Sequence, residues 1–253
     1  MLSDAEKTKL AQFLSDDAFE NDVTAASTPE KSASAAIKSV ESVLLAGVEE
    51  ALFLFGHAGL SAQAKKTDGQ TVHAGEIVLT IAGSNRAILS AERTALNVLG
   101  RMSGVATLCQ QAQKIAGSGT TIALTRKTVP GFGAFDKRAA LIAGIWPHRL
   151  HLAEAVLIKE NHLRFFASPA DAVLAARKAQ PDKTVEIEVE DVAELQSAVL
   201  QRPDMVLLDN FSLGKAEEAV AWCRINAPDV KIELSGGIRL SNVAAYAALK
   251  PDY

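Results

Sequence analysis

The chain has 253 residues, of which 48% are hydrophobic and 22% are charged, and its formal net charge is −4. This composition is typical of a globular protein with one large domain or two small ones. Nucleic-acid-binding domains are usually basic, so the acidic balance disfavours a nucleic-acid binder. No apolar run reaches membrane-spanning length, and the polar start, Met1–Glu6, does not resemble a signal peptide. Together with two cysteines that lack metal-ligand spacing, these features predict a cytoplasmic protein with no membrane partner.

The first 115 residues mix strands and helices without strict alternation. Ser3 and Glu6 fit a capping box at the start of a helix. Predicted strands cover residues 34–45, 61–66 and 77–81, and predicted helices cover residues 48–56 and 84–116. This order predicts an N-terminal α+β sandwich domain, residues 1–115, that ends in a long connecting helix.

From Thr120 onward, short β-rich runs alternate with helical segments. The predicted strands are Thr121–Leu124, Ala155–Ile158, Val185–Val189, Met205–Leu208 and Lys231–Leu234. The helices between them include residues 170–179, 192–200 and 213–227. Because this alternation is typical of parallel βαβ units, the sequence predicts an open (β/α) barrel for residues 116–253.

Polar groups recur where these predicted strands end. They are Arg126 and Lys127 after the first strand, Lys159 after the second, Asp209 after the fourth, and Ser235-Gly236-Gly237 after the fifth. The third strand carries Glu186, Glu188 and Glu190, which a period of two places on one face. The carboxyl ends of parallel strands are where α/β proteins place their chemistry. The recurrence therefore predicts one shared site.

The residue types at this predicted site indicate anionic ligands. A concentration of arginine and lysine in an acidic protein implies a substrate with carboxylates or phosphates. Glu188 and Asp209 fit such a site if they hold Mg²⁺, which binds carboxylates together with substrate phosphates. The paired glycines allow backbone N–H groups to approach an anion. The sequence shows no serine or cysteine nucleophile with a base and no zinc-ligand spacing.

Several motifs follow one another along nearly the whole chain. They are Ala91–Asn97 (AERTALN), Ser103–Thr107 (SGVAT), Thr125–Gly131 (TRKTVPG), His148-Arg149, Val156–His162 (VLIKENH), Glu186–Val189 (EIEV), Leu208–Asn210 (LDN) and Ser235–Ile238 (SGGI). In this order the chain resembles the quinolinate phosphoribosyltransferase family. The resemblance implies a type II phosphoribosyltransferase fold. It also implies transfer of phosphoribosyl from phosphoribosyl pyrophosphate to quinolinate, with loss of CO₂ and formation of nicotinate mononucleotide.

The resemblance also implies a role for each site residue. Binding of quinolinate falls to Arg93, Arg126, His148, Arg149 and Lys159. Catalysis and handling of the donor fall to Lys127, Glu188 and Asp209, of which Glu188 and Asp209 hold Mg²⁺. Phosphate binding falls to Ser235, Gly236 and Gly237. The family further implies a homodimer in which Arg93 enters the active site of the partner subunit.

The chain departs from the family pattern at three places. Phe132 and Gly133 stand where the family has an arginine, and residues 143–147 replace a run of glycines. The chain also stops where the family continues into another strand, which predicts a barrel without its last strand and helices. These departures leave two alternatives open. One is a molybdenum-operon relative of the same fold with a different acceptor, and the other is an inactive binding paralogue.

Overall fold

The computed structural model describes all 253 residues, which form two compact units. The first unit comprises Met1–Gln110 and Lys127–Ile145, and the second comprises Gln111–Arg126 and Trp146–Tyr253. The domain boundary between residues 115 and 116 stays a prediction, although the segment Lys127–Ile145 packs within the first unit. None of the helices is both long and apolar enough to cross a membrane.

The first unit combines helices with antiparallel strands. Its helices are α1 (Asp4–Asp16), α2 (Val23–Ala26), α3 (Val48–His57), most of α4 (Asn85–Ala116) and α5 (Gly133–Ile142), with a 3₁₀ turn at Phe19–Asn21. Its strands are β1 (Ser32–Lys38), β2 (Val43–Leu44), β3 (Ser61–Ala64), β4 (Thr71–Val72) and β5 (Ile77–Ser84). They form a sheet of order β1-β5-β3 and a separate β2-β4 pair. The single strand predicted for residues 34–45 is therefore wrong, because residues 39–42 separate two strands that belong to different sheets.

The start of α1 and the attachment of residues 127–145 both follow from specific contacts. The predicted capping box is confirmed, since the Glu6 N–H donates to Ser3 Oγ and the Ser3 N–H donates to Glu6 Oε2. The ring of Phe132 stacks on Phe13 of α1, with ring centroids 5.9 Å apart. Arg101 donates two hydrogen bonds, of 2.9 and 2.7 Å, to the buried Asp136. These contacts hold α5 in the first unit.

The second unit contains a parallel sheet. Its strands are β6 (Val156–Ile158), β7 (Val185–Val189), β8 (Met205–Asp209) and β9 (Lys231–Ser235), in the order β6-β7-β8-β9. Its helices are α6 (Glu160–Leu163), α7 (Pro169–Ala179), α8 (Val192–Val199), α9 (Leu213–Asn226) and α10 (Val243–Ala247). The predicted α/β class, an α+β domain followed by parallel strands, is confirmed, and the strands of the first unit are antiparallel.

The strand predicted at Thr121–Leu124 is reduced to an isolated parallel bridge between Ala123 and Trp146. The backbone ladder at this point consists of Trp146 N–H donating to Ile122 O and Leu124 N–H donating to Trp146 O. The next donor of such a parallel ladder would be the His148 N–H. His148 has a φ of +54°, outside the extended region, so the ladder ends at Trp146.

The residues before Tyr253 also pair through their backbone within the second unit. Asp252 N–H donates to Ile232 O of β9 at 2.9 Å, and Thr121 N–H donates to Asp252 O at 3.0 Å. Backbone hydrogen bonds therefore connect β9 to Asp252 and Asp252 to Thr121.

Candidate active site

The parallel sheet has one apolar face and one polar face. Residues of β7, β8 and β9 alternate between the two, as a period of two requires. Ile187, Leu208 and Ile232 are fully buried and belong to the hydrophobic core of this unit. On the polar face Glu188 pairs in register with Leu207, which pairs in register with Glu233. The polar face thus carries buried carboxylates, Glu186, Glu188 and Glu233.

Lys159 provides a cation for this face. It directly follows β6, and its Nζ donates a hydrogen bond to Glu188 Oε2. The Glu188 side chain is 10% exposed, and a carboxylate so buried needs such a partner. The structure therefore brings together two of the predicted site residues that the resemblance assigned to different substrates.

A second group of side chains surrounds His148. Its Nε2 lies 2.9 Å from Glu186 Oε2 and 3.8 Å from Glu233 Oε2. Burial, followed by the nearby Glu186 carboxylate, raises the pKa of Glu233 to about 8, while the Lys159 ammonium acts in the opposite direction. The Glu233 carboxyl therefore keeps its proton at neutral pH.

Arg149 offers an unused hydrogen-bond donor. Its Nη1 donates to Ala155 O at 3.0 Å, but its Nε is buried without a hydrogen-bond partner. Burial, and then the neighbouring Arg126 guanidinium, lowers the pKa of Arg149, and Glu186 opposes this shift. An unpaired buried donor is costly unless a ligand accepts from it. The pairing of Arg149 with the exposed Arg126 is therefore suited to bind an anion.

The ends of β8 and β9 form a close turn. Asp209 and Ser235 are register partners, Asn210 N–H donates to Ser235 O at 2.9 Å, and Asn210 Nδ2 donates to Asp209 Oδ2 at 2.6 Å. Gly236 has a φ of +88°, and a Cβ there would stand 2.5 Å from the Asn210 backbone nitrogen. Only glycine fits at this position. The next residue, Gly237, also has a positive φ, but a Cβ there would meet no atom within 4 Å.

Two predicted site residues, Arg93 and Lys127, belong to the first unit. The Arg93 side chain is 70% exposed, and its nearest ion-pair partner is Glu92 at 3.9 Å. It lines a cavity of about 440 Å³ together with Phe13, Thr94 and Phe132. The remaining predicted residues, from Arg126 to Gly237, all lie in the second unit.

Sequence reasoning missed Glu233 and gave Glu186 no role. Glu233 lies between Ile232 and Leu234 in a strand that begins with an exposed lysine, so its charge could be taken for a solvent-facing one. The period of two that placed Glu186 and Glu188 on one face, applied to β9, would have placed Glu233 on a face with Ser235. That signal was present in the sequence.

Comparison with known proteins identifies the class. A parallel α/β unit with cations and paired glycines at its strand ends is typical of enzymes that act on anionic substrates. Residues 22–103 match the quinolinate phosphoribosyl transferase N-terminal domain, and residues 105–253 match the C-terminal domain of that family. The chain belongs to the quinolinate phosphoribosyltransferase family.

Individual relatives agree with this assignment. The carboxylating nicotinate-nucleotide pyrophosphorylase of Mycobacterium leprae (strain TN) is 38% identical over 215 residues, which are 83% of this chain and 76% of that protein. A probable enzyme of the same name from Archaeoglobus fulgidus is 35% identical over 237 residues, 91% of this chain and 90% of that protein. The solved structure of nicotinate-nucleotide pyrophosphorylase from Francisella tularensis has a TM-score of 0.90 and 32% identity, and the match covers 97% and 89% of the two chains.

Proposed function

We propose that this chain is a carboxylating nicotinate-nucleotide pyrophosphorylase. It transfers phosphoribosyl from phosphoribosyl pyrophosphate to quinolinate and releases pyrophosphate and CO₂, leaving nicotinate mononucleotide for NAD synthesis. Family membership supports this function. The observation in the structure that carries it is the buried, unpaired Nε of Arg149 beside a second guanidinium, since this is a site for a carboxylate.

The acceptor side of the reaction depends on cations. Arg126, Arg149 and Lys159 donate hydrogen bonds to the two carboxylates of quinolinate. They thereby orient its ring nitrogen toward phosphoribosyl pyrophosphate. Once the nitrogen is bonded to ribose, it is cationic and stabilises the electron pair that departing CO₂ leaves at the adjacent ring carbon. A proton from water then takes the place of CO₂. Decarboxylation therefore needs no separate electron-sink cofactor. The buried guanidinium also favours the carboxylate form of the acceptor.

The donor side depends on carboxylates and backbone amides. Glu188 and Asp209 supply carboxylate oxygens, which are suitable ligands for Mg²⁺. They lie on the neighbouring parallel strands β7 and β8. When bound, Mg²⁺ supplies charge neutralisation for the pyrophosphate that leaves. Ser235, Gly236 and Gly237 offer phosphate contacts, and Lys127 adds a cation for the donor. Glu188 and Asp209 also offset the positive charge that develops at ribose C1.

We further propose that the enzyme is a homodimer in which Arg93 reaches the active site of the partner subunit. The exposure of Arg93 and its long separation from Glu92 support this, because no strong contact within the chain uses its charge. A reducing, cytoplasmic location is supported by Cys109 and Cys223, which are free and buried.

One assay tests this function directly. Quinolinate labelled at the 2-carboxylate is incubated with phosphoribosyl pyrophosphate and Mg²⁺, and released CO₂ and nicotinate mononucleotide are counted. We expect equal amounts of the two products. The matched control is Arg149→Lys, which keeps the charge but loses the planar donors and should lower kcat/KM for quinolinate. A fully folded protein that releases no CO₂ would overturn the proposal.

A further inference from the structure

We propose that His148 is a positioning residue. It is an uncharged imidazole that accepts a hydrogen bond from the Arg149 backbone and donates one to Glu186. This differs from the acceptor-binding role that the family resemblance implied. It concerns the same active site and so rests on the proposed function. Its evidence is the hydrogen bonding of the two ring nitrogens.

The backbone identifies which nitrogen carries the proton. Arg149 N–H donates to His148 Nδ1 at 2.7 Å. A nitrogen that accepts this bond must present its lone pair, so Nδ1 carries no hydrogen. The ring proton is therefore on Nε2, which lies 2.9 Å from Glu186 Oε2 and donates to it. An imidazolium would have hydrogens on both nitrogens, and this arrangement excludes one at Nδ1.

The same bonding decides between a hydrogen-bond network and a metal site. Ligand atoms of His148, Glu186 and Glu233 lie within 4.8 Å of one another, a spacing that a metal ion could bridge. A metal at Nε2 needs the ring proton on Nδ1, where the Arg149 N–H already donates. The cluster therefore fits a hydrogen-bond network in which His148 Nε2 donates to Glu186.

The network has a consequence for Arg149. Its backbone is bonded to the imidazole, and its Nη1 is bonded to Ala155 O. The Nε–H remains a buried donor without a partner. The charge of Glu186 favours the cationic form of Arg149 against burial and against Arg126. His148 thus acts on the acceptor through Arg149. Its own side chain is only 10% exposed, so its ring has little contact with solvent.

Nuclear magnetic resonance of the ring nitrogens tests this without any substrate. The ¹⁵N shifts of a neutral imidazole are far apart, whereas those of an imidazolium are close together, and couplings to the ring protons identify the protonated nitrogen. The signals of His148 are assigned by their loss in His148→Gln. We expect the neutral Nε2–H tautomer at pH 7. An imidazolium pattern, or a proton on Nδ1, would overturn the proposal even if the enzyme converts quinolinate as expected.

Three substitutions test the consequence for binding. His148→Asn offers an oxygen near Nδ1 for the Arg149 N–H, His148→Gln offers an amide donor near Nε2, and His148→Lys restores a cation but no acceptor. We expect the lysine variant to weaken quinolinate binding about 10- to 100-fold, the cost of leaving a buried donor unpaired, and the asparagine variant to lose less. The KM for the donor should change less than that for quinolinate. The exposed His151 provides the control substitution His151→Asn.

The opposite order of affinities would show that His148 is a cationic ligand. If His148→Lys binds quinolinate as tightly as the unmodified enzyme and His148→Asn binds it worst, the positioning role is wrong. If quinolinate is no substrate at all, the proposed function fails, but the ring-nitrogen measurement still decides the tautomer.

Discussion

Lys159 donates a hydrogen bond to Glu188 across the neighbouring strands β6 and β7. Each side chain neutralises the charge of the other on a largely buried face of the sheet. In the proposed reaction the lysine holds a carboxylate of the acceptor and the glutamate holds a metal ion. The acceptor carboxylate thus replaces Glu188 as the partner of Lys159. The metal ion replaces the Lys159 ammonium as the partner of Glu188.

The first prediction is a strict requirement for a divalent cation. We expect turnover to stop in excess chelator and to return with Mg²⁺ or Mn²⁺, because Glu188 and Asp209 offer the carboxylate oxygens that Mg²⁺ binds together with substrate phosphates. Glu188→Gln should raise the Mg²⁺ concentration needed for half-maximal activity, measured with pyrophosphate release. Full turnover in chelator would remove the metal role of these two carboxylates.

The second prediction concerns the choice of acceptor. Nicotinate has one carboxylate fewer than quinolinate, so it would leave donors of Arg126, Arg149 or Lys159 unpaired. That penalty amounts to several kcal/mol, and we expect kcat/KM for quinolinate to exceed that for nicotinate by at least about 100-fold. Steady-state rates with each acceptor at saturating donor measure the ratio. Equal values for the two acceptors would contradict the assignment of these cations.

The third prediction tests whether two subunits share each site. Arg93→Ala and Lys159→Ala are expected to be inactive separately. After subunit exchange, half of the dimers are mixed, and half of the sites in those dimers carry neither substitution. About a quarter of the unmodified activity should therefore return. If Arg93 serves its own subunit, every site keeps one defect and mixing restores nothing.

The fourth prediction separates a close approach from backbone strain at the glycine pair. Gly236→Ala forces a methyl group to within 2.5 Å of the Asn210 backbone nitrogen, so it should lower the free energy of unfolding by about 1–3 kcal/mol and raise the donor KM. Gly237→Ala is the matched control, because it has a positive φ but open space around the new carbon. Denaturant titration and donor KM measure both effects. If the two variants behave alike, the contact with Asn210 has no special weight.

The fifth prediction concerns a buried carboxyl in the first unit. Glu50 is fully buried, and Arg138 Nε lies 3.0 Å from its Oε1, yet neither oxygen has an aligned hydrogen-bond partner. Burial raises the pKa of Glu50 from 4.5 to about 7. The folded state therefore holds this proton more tightly than the unfolded state, so stability falls as pH rises from about 4.5 through 7.

Glu50→Gln should remove this loss. We expect the variant to exceed the unmodified protein in free energy of unfolding by about 1–3 kcal/mol at pH 8 and by much less at pH 5. Glu49→Gln is the control, since burial acts on Glu49 too but the Leu2 N–H and Arg138 lower its pKa overall. That variant should instead lose stability at pH 8. Parallel pH dependence of the two variants would refute the role of Glu50.

The sequence predicted the parallel strands well, because the signals there are local. Val185–Val189 alternates glutamate with branched apolar residues, and the structure places β7 at those bounds. The capping box at Ser3 and the length of α4 are equally local. Pairing between segments that are far apart in the sequence is not a local signal. The segment Thr121–Leu124 pairs only with Trp146, and the left-handed backbone of His148 limits that pairing to one bridge.

The candidate site divides in the same way. The residues at strand ends, Lys159, Asp209 and Ser235, were predictable because a strand's end is visible in the sequence. Which of them touch was not, because the Lys159–Glu188 pair depends on the alignment of β6 with β7. β6 ends at Ile158 and β7 begins at Val185, so 26 residues separate the two strands. The attachment of residues 127–145 to the first unit was hidden for a similar reason, because Phe13 and Phe132 meet only in the folded chain.

Trp146 lies against the His148 ring, with ring centroids 4.5 Å apart. Trp222 in α9 is the only other tryptophan of the chain. A Trp222→Phe protein would therefore have a single indole, and its fluorescence would report on the surroundings of the imidazole network. The change in this fluorescence would measure acceptor binding in real time, before any bond to ribose forms.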